Sequence, residues 1–262
     1  MNLQYIDIHS HLNLSPLSEN KETILEKMKE SGVGTITVGT DMKTSNIATE
    51  IAEQNPGLCW ATVGFHPADG FIPDDSDWIE LEQLAQNTKV VAIGETGLDY
   101  FRDQSTELKV QQTSIFKKHI ELAEKLNKPL MMHVRSSKGS DDAYYDALEI
   151  LKEVGYQGKA NFHFFSGSEK CMRDIVVAGY TISVDGPITF SHDYDDMIRA
   201  CPIENIMIET DAPFAAPVPY RGKSCEPWMV VEVAKKIAEL KGLELETVRT
   251  QMLENTKQFF LI

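Results

Sequence analysis

The sequence has no stretch close to the roughly eighteen consecutive apolar residues of a membrane-spanning helix. Its first residues show neither a basic region nor an apolar signal core. The expectation is a cytoplasmic protein that does not enter a membrane. Cysteine is scarce: Cys59, Cys171, Cys201 and Cys225 lie far apart with no C-x-x-C pair, which excludes a zinc knuckle and a dithiol redox motif. Reduced thiols are expected. Basic charge is also short, with 25 Lys and Arg against 40 Asp and Glu and a formal net charge of −15. That balance argues against a protein that holds nucleic acid by a broad cationic surface. An anionic substrate needs local help, either from a bound divalent metal or from a few Arg and Lys side chains gathered at one mouth. No Pro/Gly/Ser linker, low-complexity tract or close repeat divides the chain, so residues 1–262 read as one domain with no obligate protein partner implied.

What is present is a regular alternation. Strand patterning over Tyr5–His9, Thr35–Gly39, Cys59–Val63, Val90–Gly94, Pro129–His133, Ala160–His163, Tyr180–Val184 and Asn205–Glu209 is separated by helical patterning, beginning with Lys21–Ser31 and Thr44–Gln54. Eight strands, each followed by a helix, imply parallel pairing with right-handed crossovers. Over this length they match a closed (β/α)8 TIM barrel of the α/β class. A doubly wound open sheet is the second choice. Glu244–Phe260, with Val248, Met252 and Phe259 at helical spacing, reads as a final helix packed on the outside.

Barrel enzymes carry their chemistry at the C-terminal ends of strands, and there the histidines gather. Five of the seven fall at such ends: His9, His11, His66, His133 and His163. His119 reads as a partly exposed helix residue and His192 as a loop residue. The period of two along Ile6-Asp7-Ile8-His9-Ser10-His11-Leu12 sends His9 and His11 to one side. With Glu95 after the fourth strand and Asp211 after the eighth, four imidazoles and two carboxylates converge on one mouth. Such a donor set suits one or two divalent ions of the Zn, Mn, Fe, Co or Mg kind rather than a thiolate-selected metal.

The segments Asp7-Ile8-His9-Ser10-His11-Leu12, Gly64-Phe65-His66-Pro67, Gly94-Glu95-Thr96-Gly97-Leu98-Asp99-Tyr100, Met132-His133-Val134-Arg135, His163-Phe164-Phe165-Ser166-Gly167, Glu209-Thr210-Asp211-Ala212-Pro213 and Arg221-Gly222-Lys223 carry a further signal. In them the chain resembles the TatD-type metal-dependent deoxyribonucleases of the amidohydrolase superfamily, over nearly its full length. The resemblance implies two divalent ions (Mg, Mn or Zn), with His9, His11 and Asp211 on one, His133 and His163 on the other and Glu95 bridging. It also implies that Asp211 orients or deprotonates the attacking water. Ala68 stands where the family often has a second histidine, and Cys225 where it usually has asparagine. Both departures bear on substrate contacts, not on the proposed ligands.

Outside the ligand set, His66 is assigned to contacting a phosphate or shuttling a proton, the alternative being a cap on the turn before Pro67. Arg135, Arg221 and Lys223 are candidate phosphate contacts, because guanidinium in particular matches phosphate geometry. Tyr100 and Phe101 either stack a nucleotide base or form a hydrophobic lip. Asp99 is expected to orient a ligating histidine. The expected function is metal-dependent cleavage of DNA, and the resemblance adds a 3′ to 5′ preference for single-stranded ends. Two alternatives stand beside it: a hydrolase of small amides, lactones or phosphoesters on the same scaffold, and a non-catalytic metal-binding protein.

Overall fold

The structure, a computed structural model, describes residues 3–262. Eight parallel strands pair in sequential order: β1 (Tyr5–Ser10), β2 (Val33–Val38), β3 (Cys59–Val63), β4 (Val90–Asp99), β5 (Leu130–Arg135), β6 (Ala160–His163), β7 (Thr181–Val184) and β8 (Ile206–Ile208). Between them run α1 (Lys21–Ser31), α2 (Met42–Gln54), α3 (Asp75–Ala85), α4 (Thr106–Leu126), α5 (Asp142–Val154), α6 (Glu169–Val177) and α7 (Asp195–Ala200). The chain then passes through α8 (Val230–Lys241) and α9 (Leu245–Phe260). The (β/α)8 barrel is therefore formed, and the doubly wound alternative is excluded by the sequential strand order.

Helix starts follow local chemistry. Asp41 accepts the Thr44 N–H at 2.6 Å, and Asp74 accepts from Ser76 and Asp77, so α2 and α3 begin directly after these caps, α2 at Met42 rather than the expected Thr44. The largest departure among the strands is β4, which continues five residues past the expected Gly94. Two features shape it. Between Ile93 and Thr96 on β4 the partner positions on β5 advance only from Leu130 to Met132, so β4 carries one extra residue at Gly94-Glu95. Glycine is also required on both sides of Glu95, because a Cβ at Gly94 would run into the Met131 carbonyl and one at Gly97 into the His133 carbonyl.

A second bulge lies in β1, between Asp7 and Ser10. It resets the alternation, so that Ile8 belongs to the barrel's interior apolar cluster while His9, the next residue, also reaches the axis. That interior cluster contains Ile6, Ile8, Ile36, Val91, Ala92, Met131 and Met207, together with Phe259 and Phe260 from the end of α9. Helix α9 was expected only on the outside, but its last turn plugs the N-terminal end of the barrel. Two adjacent aromatics there have nowhere else to bury their area.

His119 corrects another expectation, since it is fully buried rather than partly exposed. Its Nε2 accepts the Phe65 N–H at 3.0 Å, so the proton sits on Nδ1, which donates to the Ile115 carbonyl at 2.9 Å and lies 2.9 Å from Thr96 Oγ1. The ring thereby holds the residues next to His66 and Glu95. Burial pushes its imidazolium down to about 3. The folded chain then refuses a proton that the unfolded chain accepts near 6.5, so acid weakens the fold below that pH, by about 1.4 kcal/mol per unit from this group. We expect the stability advantage of the wild type over His119→Gln, measured by urea unfolding in chelator, to shrink by that amount per pH unit from 6.5 downward. An advantage constant with pH would show that His119 titrates normally.

Candidate active site

The C-terminal end of the barrel opens into a cavity of about 690 Å³, with His11, His66, Glu95, His133, His163 and Asp211 in its wall. At its floor Glu95 is 3% exposed, and its two carboxylate oxygens face different partners. Oε2 lies 3.4 Å from His9 Nε2 and 3.8 Å from His11 Nε2. Oε1 lies 2.9 Å from His133 Nδ1, 2.9 Å from His163 Nε2 and 3.4 Å from His66 Nε2. Asp211 Oδ1 closes the first group, 3.4 Å from His11 and 3.7 Å from His9.

The outward sides of the rings fix their protons. His11 Nδ1 faces the Val38 carbonyl at 3.2 Å, His133 Nε2 faces Asp99 Oδ2 at 3.1 Å, and His163 Nδ1 faces Glu209 Oε1 at 3.3 Å. A carbonyl or carboxylate there accepts the ring N–H, which leaves the other nitrogen's lone pair pointing into the site. His9 Nε2 and His11 Nε2 stand 3.3 Å apart, as do His163 Nε2 and His133 Nδ1. Ring nitrogens this close cannot both present lone pairs unopposed, so each pair suits a shared proton or a metal cation between them. Three overlapping triads have ligand atoms within 4.8 Å of one another: His9, Glu95 and His163; His9, His11 and Asp211; and His66, Glu95 and His133. These nitrogens and carboxylates are a donor set for divalent metal.

Protonation of the bare cluster follows the same geometry. Burial would raise Glu95, yet His66, His9 and His163 hold it well below the usual carboxylate range. Burial likewise works against Asp211, but His11 and His9 keep it low. His163 moves the other way: Glu95 and Glu209 outweigh burial and keep its imidazolium well above the ordinary value. Burial also opposes charge on His66, and Glu95 and Asp69 overcome it, lifting that ring to about 10.

The candidates from the sequence are distributed unevenly. His9, His11, Glu95, His133, His163 and Asp211 are brought together. His66 stands closer than a peripheral residue, sharing Glu95 with His133, and it also does what the turn-cap alternative describes, since its Nδ1 accepts the Ala68 N–H at 3.2 Å. Arg135 lines the cavity, its guanidinium stacked 3.8 Å from the Phe101 ring centroid. Arg221 and Lys223 are exposed on the β8–α8 loop and do not line that cavity. Tyr100 must be corrected: it is 1% exposed and lies beneath Lys109 Nζ at 3.9 Å, turned towards α4. With β4 continuing to Asp99 and Asp99 facing His133, alternation turns Tyr100 outward and leaves Phe101 at the rim.

Asp7 and Glu209, which enter the sequence analysis only as parts of longer motifs, both support the site. Glu209 is fully buried and accepts from the Phe164 N–H at 2.5 Å and from the Ser183 hydroxyl at 2.7 Å, besides facing His163. Asp185, at the end of β7, was missed altogether. It is buried with Oδ2 unpartnered, and burial lifts its carboxyl well above the ordinary range. A charged residue directly after a strand was the available signal.

Asp7 clasps the barrel seam. Among the described residues β1 meets the segment after β8 at the isolated bridge Ser10 to Ala212, with His11 N–H on the Ala212 carbonyl at 2.7 Å and Asp211 N–H on the His9 carbonyl at 2.9 Å. Asp7 Oδ1 accepts the N–H groups of His9 (3.2 Å) and Thr210 (2.9 Å), and Oδ2 meets the hydroxyls of Thr210 (2.8 Å) and Thr35 (3.3 Å). An asparagine can repeat this pattern by donating to the hydroxyls, whereas alanine strands two buried N–H groups. Asp7→Ala is expected to weaken zinc or manganese binding, read by calorimetry, by about tenfold or more, and Asp7→Asn to restore most of it. Equal loss in both would mean that the negative charge, not the hydrogen-bond pattern, is what matters.

Residues 6–261 match the family described as TatD related DNase. A Bacillus subtilis protein named metal-dependent hydrolase YabD is 36% identical over 260 residues, 98% of each chain. A Mycobacterium tuberculosis protein named metal-dependent hydrolase TatD is 30% identical, over 97% of each. The solved structure of YJJV, a TatD homologue from Escherichia coli K12, superposes with a TM-score of 0.88 at 26% identity, over 100% of both chains. This chain thus belongs to the TatD-related family of metal-dependent hydrolases.

Proposed function

We propose that this hydrolase cleaves phosphodiester bonds of DNA, removing nucleotides 3′ to 5′ from single-stranded ends. The observation that carries the reading is the division of Glu95, one oxygen towards His9 and His11 and the other towards His66, His133 and His163. It supports two cation positions side by side, the arrangement suited to an in-line phosphoryl displacement. Bound Mg, Mn or Zn ions would supply the positive charge that a phosphate needs here and lower the pKa of an attacking water.

The chain's own groups do the remaining work. Asp211, kept ionised by His11 and His9 against its burial, is placed to accept the proton of the water. His66, whose Nδ1 accepts the Ala68 N–H, carries its proton on Nε2 at the mouth and is placed to donate it to a phosphate oxygen or to the leaving group. Asp99 and Glu209 keep His133 and His163 turned inward. Arg135 reaches the same cavity with its fork of donors free for a second phosphate oxygen. Among the described residues no helix is long and apolar enough to cross a membrane. We place the activity in the cytoplasm, with DNA rather than a lipid or a protein as partner.

The test is cleavage of end-labelled single-stranded DNA with Mg, Mn or Zn, beside Glu95→Ala. A ladder from one end is expected, abolished by chelator and reduced by roughly a thousandfold or more in the variant, whose metal content should also fall. Intact DNA from metal-loaded wild-type protein would reject the nuclease reading and favour a hydrolase of small amides, lactones or phosphoesters.

A further inference from the structure

The six arginines divide into two sets. Arg173, Arg199 and Arg249 are paired with acids on their own helices: Glu169, Asp195 with Asp196, and Glu246. Arg102, Arg135 and Arg221 are exposed and make no ion pair or hydrogen bond through their guanidinium groups among the described residues. Arg135 is sensed by Asp99, but that carboxylate is engaged by His133. All three sit at the C-terminal end of the barrel: after β4, at the end of β5 and after β8. In a chain with 40 acidic residues, guanidinium groups without an internal partner are available for an external anion.

Two of the three lie over phenylalanine rings. Arg135 Cζ lies 3.8 Å from the centroid of Phe101, and Arg221 Cζ lies 3.7 Å from that of Phe190. Both rings are exposed, Phe101 at 45% and Phe190 at 36%. Contact with the ring face restrains the side chain while its N–H groups make no internal hydrogen bond, so each pair offers phosphate donors beside a surface on which a base can stack. Sequential strand order puts one pair on the β4–β5 side of the mouth and the other on the β7–β8 side, with Glu95 and its histidines between.

The two sides differ in shape. Beside Phe101 and Arg135 lies a second cleft of about 480 Å³, lined by Ser136, Ser137 and Lys138 among others, which shares Arg135 and Ser166 with the main cavity. The Phe190 and Arg221 pair lines neither cavity and stands as an open ledge.

We infer that the mouth carries two unequal nucleotide stations flanking the metal centre: the cleft of Phe101 and Arg135 takes the terminal nucleotide, and the ledge of Phe190 and Arg221 holds the strand on the other side of the scissile phosphate. This inference rests on the nuclease reading and adds to it a length requirement. A substrate too short to span both stations loses the ledge.

The experiment compares kcat/KM for a single-stranded DNA decamer with that for the p-nitrophenyl ester of a single thymidine monophosphate, each with manganese. In Phe190→Ala/Arg221→Ala the decamer-to-ester ratio is expected to fall about tenfold through KM, with Phe190→Tyr alone keeping the ratio. The salt dependence of decamer binding should become shallower by about 0.7 in log–log slope when Arg221 is removed. In Phe101→Ala both substrates are expected to suffer. Arg249→Ala, on α9 and paired there with Glu246, serves as the control with an unchanged ratio. Cleavage of DNA at an unaltered ratio in the double variant overturns the two stations and leaves the nuclease reading standing. Failure of the wild type on the decamer, with turnover of the ester, overturns both.

Discussion

Glu95 is a carboxylate 3% exposed at the bottom of a cavity, and much of the surrounding structure answers the cost of burying that charge. Five imidazoles face its two oxygens, and three of those rings are turned inward by a carbonyl or carboxylate behind them. Its position depends on the extra residue in β4 and on the glycines on either side of it. His119 then braces Thr96 and Phe65, the neighbours of Glu95 and His66, from behind. A neutral side chain at residue 95 would leave several of these devices with nothing to compensate.

The same economy appears at the seam. A barrel of this kind must join its first and last strands, and here β8 ends at Ile208, three residues short of Asp211. The join is made mainly beyond that strand, by two backbone hydrogen bonds and by Asp7 reaching across to Thr210. Asp211 adopts φ of +50°, a conformation that aspartate tolerates better than most residues. The bonds that close the barrel therefore also set the distance from Asp211 to His9 and His11. Stability of the seam and geometry of the site are one quantity at this place.

Much of this was legible in the sequence, because two strong periodic signals coincided. Alternating strand and helix patterns specify the barrel, and histidines recurring at strand ends mark one face of it. What escaped depends on relations between strands rather than along them. The bulges in β1 and β4 shift register by one residue against a neighbour, which no single strand's pattern reveals. Asp99 faces His133 as expected, but the outward turn of Tyr100 follows from β4 running further than its apolar run. His119 looked like a surface residue because it is polar, although its acceptor nitrogen was needed by a backbone N–H at the end of β3. The last turn of α9 plugs the barrel through a contact between the two ends of the sequence, the kind of relation local propensity does not carry.

Charge distribution connects fold and chemistry. A net charge of −15 repels a polyanion at long range, which makes the few cations near the site decisive. Several basic residues elsewhere are neutralised in short-range helical pairs such as Lys170 with Asp174 and Lys235 with Glu232. Those exposed pairs contribute little to stability, but they keep their cations from acting as an alternative landing surface. The guanidiniums without acids stand at the mouth, where bound metal would also concentrate positive charge. On the nuclease reading proposed above, an acidic protein arranged in this way would engage a nucleic acid only where it can also react with it.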